Sequence, residues 1–350
     1  MVYCSKCGEE IPEDSHFCSK CGSMTEKGEE AGTSYPRLGR YWCCSNEGPS
    51  RYIAEDEKHF GGLVTADKVF FEVENVNGPV RVLTWDKAEY GVELLIKAGG
   101  YTEDEAEENL KDLKVDLEEQ TVQGQQRLSL KFDRPKDRRW YSIDVNVTLP
   151  TDAETDLDIY SKNGAISLAN LKGSEMAATT KNGRMMLDGI SAKRIDCKTS
   201  NGKMILEKVT SESIDCRTSN GKMVLDNVTA EKITGRTSNG RIEGQIESKD
   251  AVLTSSNGKI DLALLCGASG EFRLRTSNGR IVLDVSDSPD VGYDLDLSTS
   301  MNRIDVDLPD LTYEKYRRTH LAAKTQGFEE KDVKIVIEAD TSMGKIQINS

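Results

Sequence analysis

The chain predicts a mostly β protein: a single-stranded parallel β-helix, a solenoid of ~19-residue coils, with one amphipathic helix and a small N-terminal cysteine-bearing unit. Three observations carry this. Residues 156–350 repeat one pattern: an apolar and polar alternation, Thr-Ser-Asn-Gly, a basic residue, and a second alternation ending in Leu or Val. The repeated asparagines stand at Asn163, Asn182, Asn201, Asn220, Asn239, Asn257 and Asn278, spaced 19, 19, 19, 19, 18 and 21 residues apart. A hydrophobic content of 37% with 6% aromatics suits a thin, elongated core better than one large one.

Composition also excludes some function classes. A formal charge of −14 opposes general affinity for nucleic acid or anionic membrane, since phosphate binding draws on clustered Lys and Arg. No run approaches the roughly 18 apolar residues of a membrane span, so no integral membrane segment is expected. The N-terminus has no basic region followed by an apolar core, so no secretory signal is expected either. Of the nine cysteines, four form two Cys-x-x-Cys pairs and two fall in core register, which fits a reducing, cytoplasmic setting.

Residues 1–24 read Cys4-Ser-Lys-Cys7-Gly, then ten residues, then Cys18-Ser-Lys-Cys21-Gly. Each pair sets two thiolates on a knuckle whose glycine accepts a tight turn, so four sulfurs can converge on one zinc ion. This segment resembles the short zinc ribbon found at the start of many bacterial and archaeal proteins. His16 is surplus to four sulfurs. So short a segment has almost no core, and metal binding would supply most of its folding energy.

Residues 25–58 lack periodicity and read as a linker. Within it, Tyr41-Trp42-Cys43-Cys44 could be a lipid anchor, a second metal site with His59, or a patch that docks on the neighbouring domain. The cost of exposing two aromatics favours docking.

Residues 59–155 hold an earlier coil around Asn77-Gly78, strands near 92–97, 127–132 and 141–149, and one helix. Thr102 and Glu105 make a capping box, and Ala106, Leu110, Leu113 and Leu117 one apolar face. Such a helix could cover the first rung.

Residues 156–350 are the regular coils, with an insertion at 308–335. Counting Asn as position 8, positions 2, 4 and 6 share one face by period 2. Position 2 includes Leu157, Ile195, Ile214 and Ile233, position 4 includes Cys197 and Cys216, and position 6 is always Ser or Thr. Position 11, mostly Ile or Met, and position 13, mostly Leu, line the opposite inner wall. The Asn-Gly pair between the walls is expected to turn through left-handed backbone conformations. One coil buries about five side chains worth roughly 1.5–3 kcal/mol each, while ordering its residues costs about 1–2 kcal/mol apiece. A lone coil therefore cannot fold, and stacking must close the deficit. Cys197 and Cys216 read as buried free thiols on consecutive rungs.

Outside, position 10 is basic in nearly every coil: Arg184, Lys203, Lys222, Arg241, Lys259, Arg280, Arg303 and Lys345. A stripe for a polyanion is one reading. Acidic columns at positions 3 and 14 run beside it, and like charges one rung apart repel by only about 0.9 kcal/mol in water, so solvated charge ladders are expected instead. Carboxylates recur as ladders rather than clustering in one coil, and His16, His59 and His320 belong to no nucleophile or ligand motif. No catalytic residues are expected. The final coil, 336–350, leaves an unpaired edge, through which two chains are expected to pair.

Asn-Val-Asn77-Gly-Pro-Val-Arg-Val, the acidic helix after it and the Thr-Ser-Asn-Gly-Lys/Arg coils resemble the toastrack "putative adhesin" family, a domain of unknown function, over about residues 60–350. The resemblance implies a single-stranded β-helix, sometimes linked to envelope stress sensing or surface attachment, and no catalytic residues. The expected function is a non-enzymatic scaffold that presents a ladder surface to a protein partner. An envelope or stress-response regulator binding a peptide or membrane-associated ligand is the alternative, and a polysaccharide-active enzyme the third.

Overall fold

The computed structural model describes residues 52–133 and 140–350, with the backbone of two short antiparallel strands, Val2–Tyr3 and Glu10–Ile11. Cys4, Cys7, Cys18, Cys21, His16, Tyr41, Trp42, Cys43 and Cys44 lie outside the described residues. The chain is mostly β and divides into two compact units, Met1–Ser174 and Glu175–Ser350.

In the first unit, Asn77-Gly78 does mark an earlier coil. Lys68–Asn75 pairs in parallel with Glu154–Ser161, setting Phe71 beside Leu157 and Val73 beside Ile159. Past the corner, Val80–Trp85 pairs with Ile166–Ala169, setting Val80 beside Ile166 and Val82 beside Leu168. All eight side chains are buried. The remaining strands make the sheet mixed rather than parallel throughout. Tyr52–Leu63, Glu89–Gly100 and Tyr141–Pro150 pair antiparallel in that order. The first of these begins inside the stretch read as a linker, so residues 52–58 belong to the sheet.

The helix runs Glu103–Lys111, capped by the Thr102 hydroxyl, which accepts from the Glu105 amide at 3.2 Å. The Glu105 carboxylate accepts from the Tyr101 amide at 2.7 Å. The helix is shorter than the apolar spacing implied. Leu117 lies in the strand Lys114–Val122, because that segment alternates and folds back on Gln125–Asp133 through a turn at Gln123 and Gly124, with φ of 52° and 78°. The helix packs on Tyr52–Leu63 and Glu89–Gly100. It comes so close that a Cβ on Gly100 would lie 2.4 Å from the Ala106 nitrogen.

In the second unit successive coils pair in parallel and in register. Ile195 lies beside Ile214 and Ile214 beside Ile233, while Met185, Met204, Met223 and Ile242 follow one another on the other wall. The inward columns read from period 2 are buried here, Ile214 being 1% exposed. The left-handed residues sit elsewhere than expected. None of the corner asparagines or glycines of the regular coils has positive φ; the left-handed residue is position 15, after the second wall, at Gly189, Lys208 and Asn227 with φ of 62°, 52° and 52°. The coil of Asn239 is one residue short there, and its register with the preceding coil shifts between Leu225 and Val228.

Sequence order is broken at the end of the chain. Val333–Thr341 pairs in parallel with Gly270–Thr276 on one side and Val291–Thr299 on the other. Ile346–Asn349 likewise lies between Ile281–Asp284 and Ile304–Val306. The last coil in sequence is thus inside the stack, and Ile346 and Ile348 are fully buried. This overturns the premise that two chains would pair through a free C-terminal edge. The insertion explains the swap: Leu311–Arg317 and His320–Thr325 form a hairpin that lies antiparallel on Val291–Thr299, and the chain then returns to the vacant inner place.

Candidate functional site

The repeated corner is where the coils concentrate their polar chemistry. Its conformation is set by position 6. The Thr199 and Thr218 hydroxyls, both buried, accept from the amides of Gly202 and Gly221 three residues on, each at 3.1 Å. Thr199 also donates to the Gly183 carbonyl of the preceding rung at 3.2 Å, and Thr276 to that of Gly258 at 3.2 Å. A hydroxyl can sit in an otherwise apolar wall because both its roles are filled. Sequence pattern placed this column inward but gave no reason for its chemistry; the missed signal was the Thr/Ser-x-x-Gly spacing, kept in every regular coil but that of Thr299.

Glycine follows because the rungs touch there. A Cβ on Gly221 would lie 1.7 Å from the Gly202 carbonyl oxygen, and one on Gly202 1.6 Å from that of Gly183. Close approach, not left-handed freedom, is what requires glycine.

The asparagines before these glycines form an exposed amide ladder. The Nδ2 of Asn201, Asn220, Asn239, Asn257 and Asn278 each donates to the Oδ1 of the asparagine one rung earlier, at 2.8, 2.7, 2.7, 2.6 and 2.6 Å. Beyond Asn278 the column continues as exposed methionines, Met343 and Met301.

Two basic columns flank the ladder. At position 5, Lys198 and Arg217 pair with Asp196 and Asp215 at 2.9 and 2.5 Å, and Arg275 with Glu338 at 2.6 Å. At position 10, Arg241 and Lys222 meet Glu243, Lys259 meets Asp261 at 2.5 Å, and Arg303 and Lys345 share Asp305. Most of these charges are solvated pairs, as the ladder reading expects, each worth at most about 1 kcal/mol. Lys203 differs. Burial lowers its pKa, and the neighbouring Arg184 and Lys222 lower it further.

Other residues singled out by sequence stay apart from this corner. Cys197 and Cys216 lie side by side in register, free and fully buried; a hydrogen bond between them, with burial, pushes the Cys216 thiol well up. His320 faces Asp296 at 3.1 Å on the terminal hairpin. No group of three or more His, Cys, Asp or Glu placed to hold a metal occurs among the described residues. A shallow cavity of about 410 Å³ at the shortened coil is lined by Asp226, Glu243, Gly244 and Asp261, and two of its carboxylates are already ion-paired.

A family model described as Toastrack DUF4097 matches residues 71–349. The chain belongs to the Toastrack DUF4097 family. In this Toastrack protein a second model, for a zinc-ribbon domain, matches residues 3–24, the segment of Cys4, Cys7, Cys18 and Cys21. No curated protein matches the chain. Similar solved structures include a "putative lipid binding protein" from Parabacteroides distasonis, at 13% identity, covering 83% of this chain and 96% of its own, with a TM-score of 0.43. A "putative adhesin" from Bacteroides fragilis is 12% identical, with coverage of 85% and 98% and a TM-score of 0.37. No helix among the described residues of the Toastrack chain is long and apolar enough to cross a membrane.

Proposed function

We propose that the protein is a non-enzymatic binding scaffold. In this reading a zinc ribbon, residues 1–24, is tethered to a single-stranded β-helix that presents its outer ladders to a protein partner in the cytoplasm. The observation that carries it is the outer face beside the amide ladder, where Lys198 and Arg217 pair with Asp196 and Asp215 on successive rungs and Arg275 pairs with Glu338 farther along, so a partner meets paired charges on several coils. Affinity capture with the full chain, compared with a chain carrying Lys198→Glu and Arg217→Glu, tests it. A partner retained equally by both removes the ladder face from the reading.

Cys4, Cys7, Cys18 and Cys21 would hold the zinc ion as a structural site. The zinc-ribbon match supports this, and so do the antiparallel strands Val2–Tyr3 and Glu10–Ile11, which flank the first Cys-x-x-Cys pair in sequence. Four thiolates satisfy a closed tetrahedral site. Metal analysis of the full chain is expected to return about one zinc per chain, and Cys4→Ser with Cys18→Ser is expected to lose it. Full retention of zinc by that double variant would show that other residues hold the metal.

A further inference from the structure

The two walls of the second unit end unequally. Ile304–Val306 is the last strand of the second wall, and among the described residues it pairs on one side only, with Ile346–Asn349. The first wall runs two strands further, because the hairpin of His320–Thr325 and Leu311–Arg317 continues it past Val291–Thr299. Leu311–Arg317 in turn pairs only with His320–Thr325. The core is therefore open at this end. Ile304 and Val306 are half-buried, where their counterparts Ile281, Leu283, Ile346 and Ile348 are fully buried. Tyr313 and Tyr316 stand in register with the buried Ala323 and Leu321 and share their inward face, a bulge at Glu314 absorbing the odd spacing. Yet they are 46% and 74% exposed, their rings 5.2 Å apart edge to face, because the second wall stops short of them.

We propose that a second copy of this chain closes the open end, the hairpin of each copy completing the second wall of the other about a two-fold axis. Strand direction permits it. Leu311–Arg317 runs in the same sense as Val291–Thr299, toward the corner, whereas Ile304–Val306 runs away from the corner. An axis through the corner that exchanges the two walls keeps these senses, so the outer strand of one hairpin lies antiparallel beside Ile304–Val306 of the other copy and the unpaired edges find partners. Strand number fits too: the second wall is short by two strands, and the second copy's hairpin brings two. Tyr313 and Tyr316 then face Ala323 and Leu321 of the second copy, large side chains against smaller ones. The area suffices. The two tyrosines of one copy expose roughly 200 Å²; with the half-buried Ile304, Val306, Leu308 and Leu311 and the strand edges, two copies bury about 1,000–1,500 Å² in all, the range of a specific interface. The bulge and the charges of Lys315 and Arg317 deter addition of an arbitrary strand, whereas a matching gap accepts the hairpin as a whole. The arrangement is isologous and stops at two copies. The C-terminal strand Ile346–Asn349 stays inside the stack and takes no part. The proposal goes beyond the protein-partner reading and uses a different surface from that of Lys198 and Arg217.

Sedimentation velocity of the full chain over a concentration series tests it. A dimer is expected at about 10 µM, with its dissociation constant raised at least about tenfold in Tyr313→Asp with Tyr316→Asp and held within about twofold in Leu63→Asp, an exposed apolar residue of the first unit. Hydrogen exchange of the unaltered chain gives a readout independent of variant folding: the amides of Ile304–Val306 and Leu311–Arg317 should exchange more slowly at concentrations above the dissociation constant than below it. A monomer at tens of micromolar, assemblies that keep growing beyond two copies, a dimer that the tyrosine variant leaves intact or that Leu63→Asp weakens equally, or exchange of both strands that ignores concentration would each overturn the proposal. A protein partner captured on the face of Lys198 and Arg217 would survive any of these results.

Discussion

Ile214→Asp is expected to abolish cooperative melting of the coils, whereas Lys222→Glu is expected to leave it nearly unchanged. Ile214 is 1% exposed and lies in register between Ile195 on one rung and Ile233 on the next. Removing its side chain alone forfeits about 2–5 kcal/mol. A carboxylate in its place is surrounded by aliphatic groups and must either stay charged without a partner or take up a proton, adding several kcal/mol. The sum rivals the roughly 5–15 kcal/mol that holds a typical domain together. Because neighbouring rungs stabilise one another, the damage spreads along the stack. Lys222 is 39% exposed and its contact with Glu243 is a surface pair, so reversing its charge is expected to cost about 1 kcal/mol or less. Thermal melts followed by circular dichroism compare the two. Comparable losses would remove the inward and outward assignment of the columns.

That assignment was legible in the sequence because period 2 is rigid: a one-residue slip would turn every core residue outward. The columns through Ile195, Ile214 and Ile233 leave no alternative. The corner was only half legible. Asn-Gly commonly signals a left-handed turn, yet the left-handed positions are Gly189, Lys208 and Asn227, whose varied side chains hide them. The order of the last coils was not legible at all. Val333–Thr341 and Val291–Thr299 carry the same alternation, so pattern cannot say which lies beside Gly270–Thr276; only the reach of the hairpin formed by Leu311–Arg317 and His320–Thr325 decides it. The basic column of position 10 was visible in the sequence, but the carboxylates that pair with Lys222, Arg241 and Lys259 emerged only once rungs could be compared across the corner.

The second large effect concerns the corner glycine, and Gly221→Ala against Gly124→Ala separates its two explanations. Were left-handed freedom the reason for glycine, Gly124, with φ of 78°, would be the costlier site, since Gly221 does not have positive φ. Gly124 has nothing within 4 Å of where a Cβ would stand, so alanine there meets only the intrinsic penalty of about 1–2 kcal/mol. At Gly221 the new carbon would lie 1.7 Å from a backbone oxygen of the adjoining rung. No rotamer relieves that contact, because a Cβ is fixed by the backbone and the oxygen belongs to a hydrogen-bonded rung. The rungs must separate locally, which weakens the bond from Asn220 to Asn201 and the Gly221 amide's bond to Thr218 together. A loss of about 3–5 kcal/mol is therefore expected, in the range that marks a broken backbone constraint. Urea unfolding of both variants measures it. A smaller loss at Gly221 than at Gly124 would mean that the stacked corners yield more readily than their 1.7 Å approach implies.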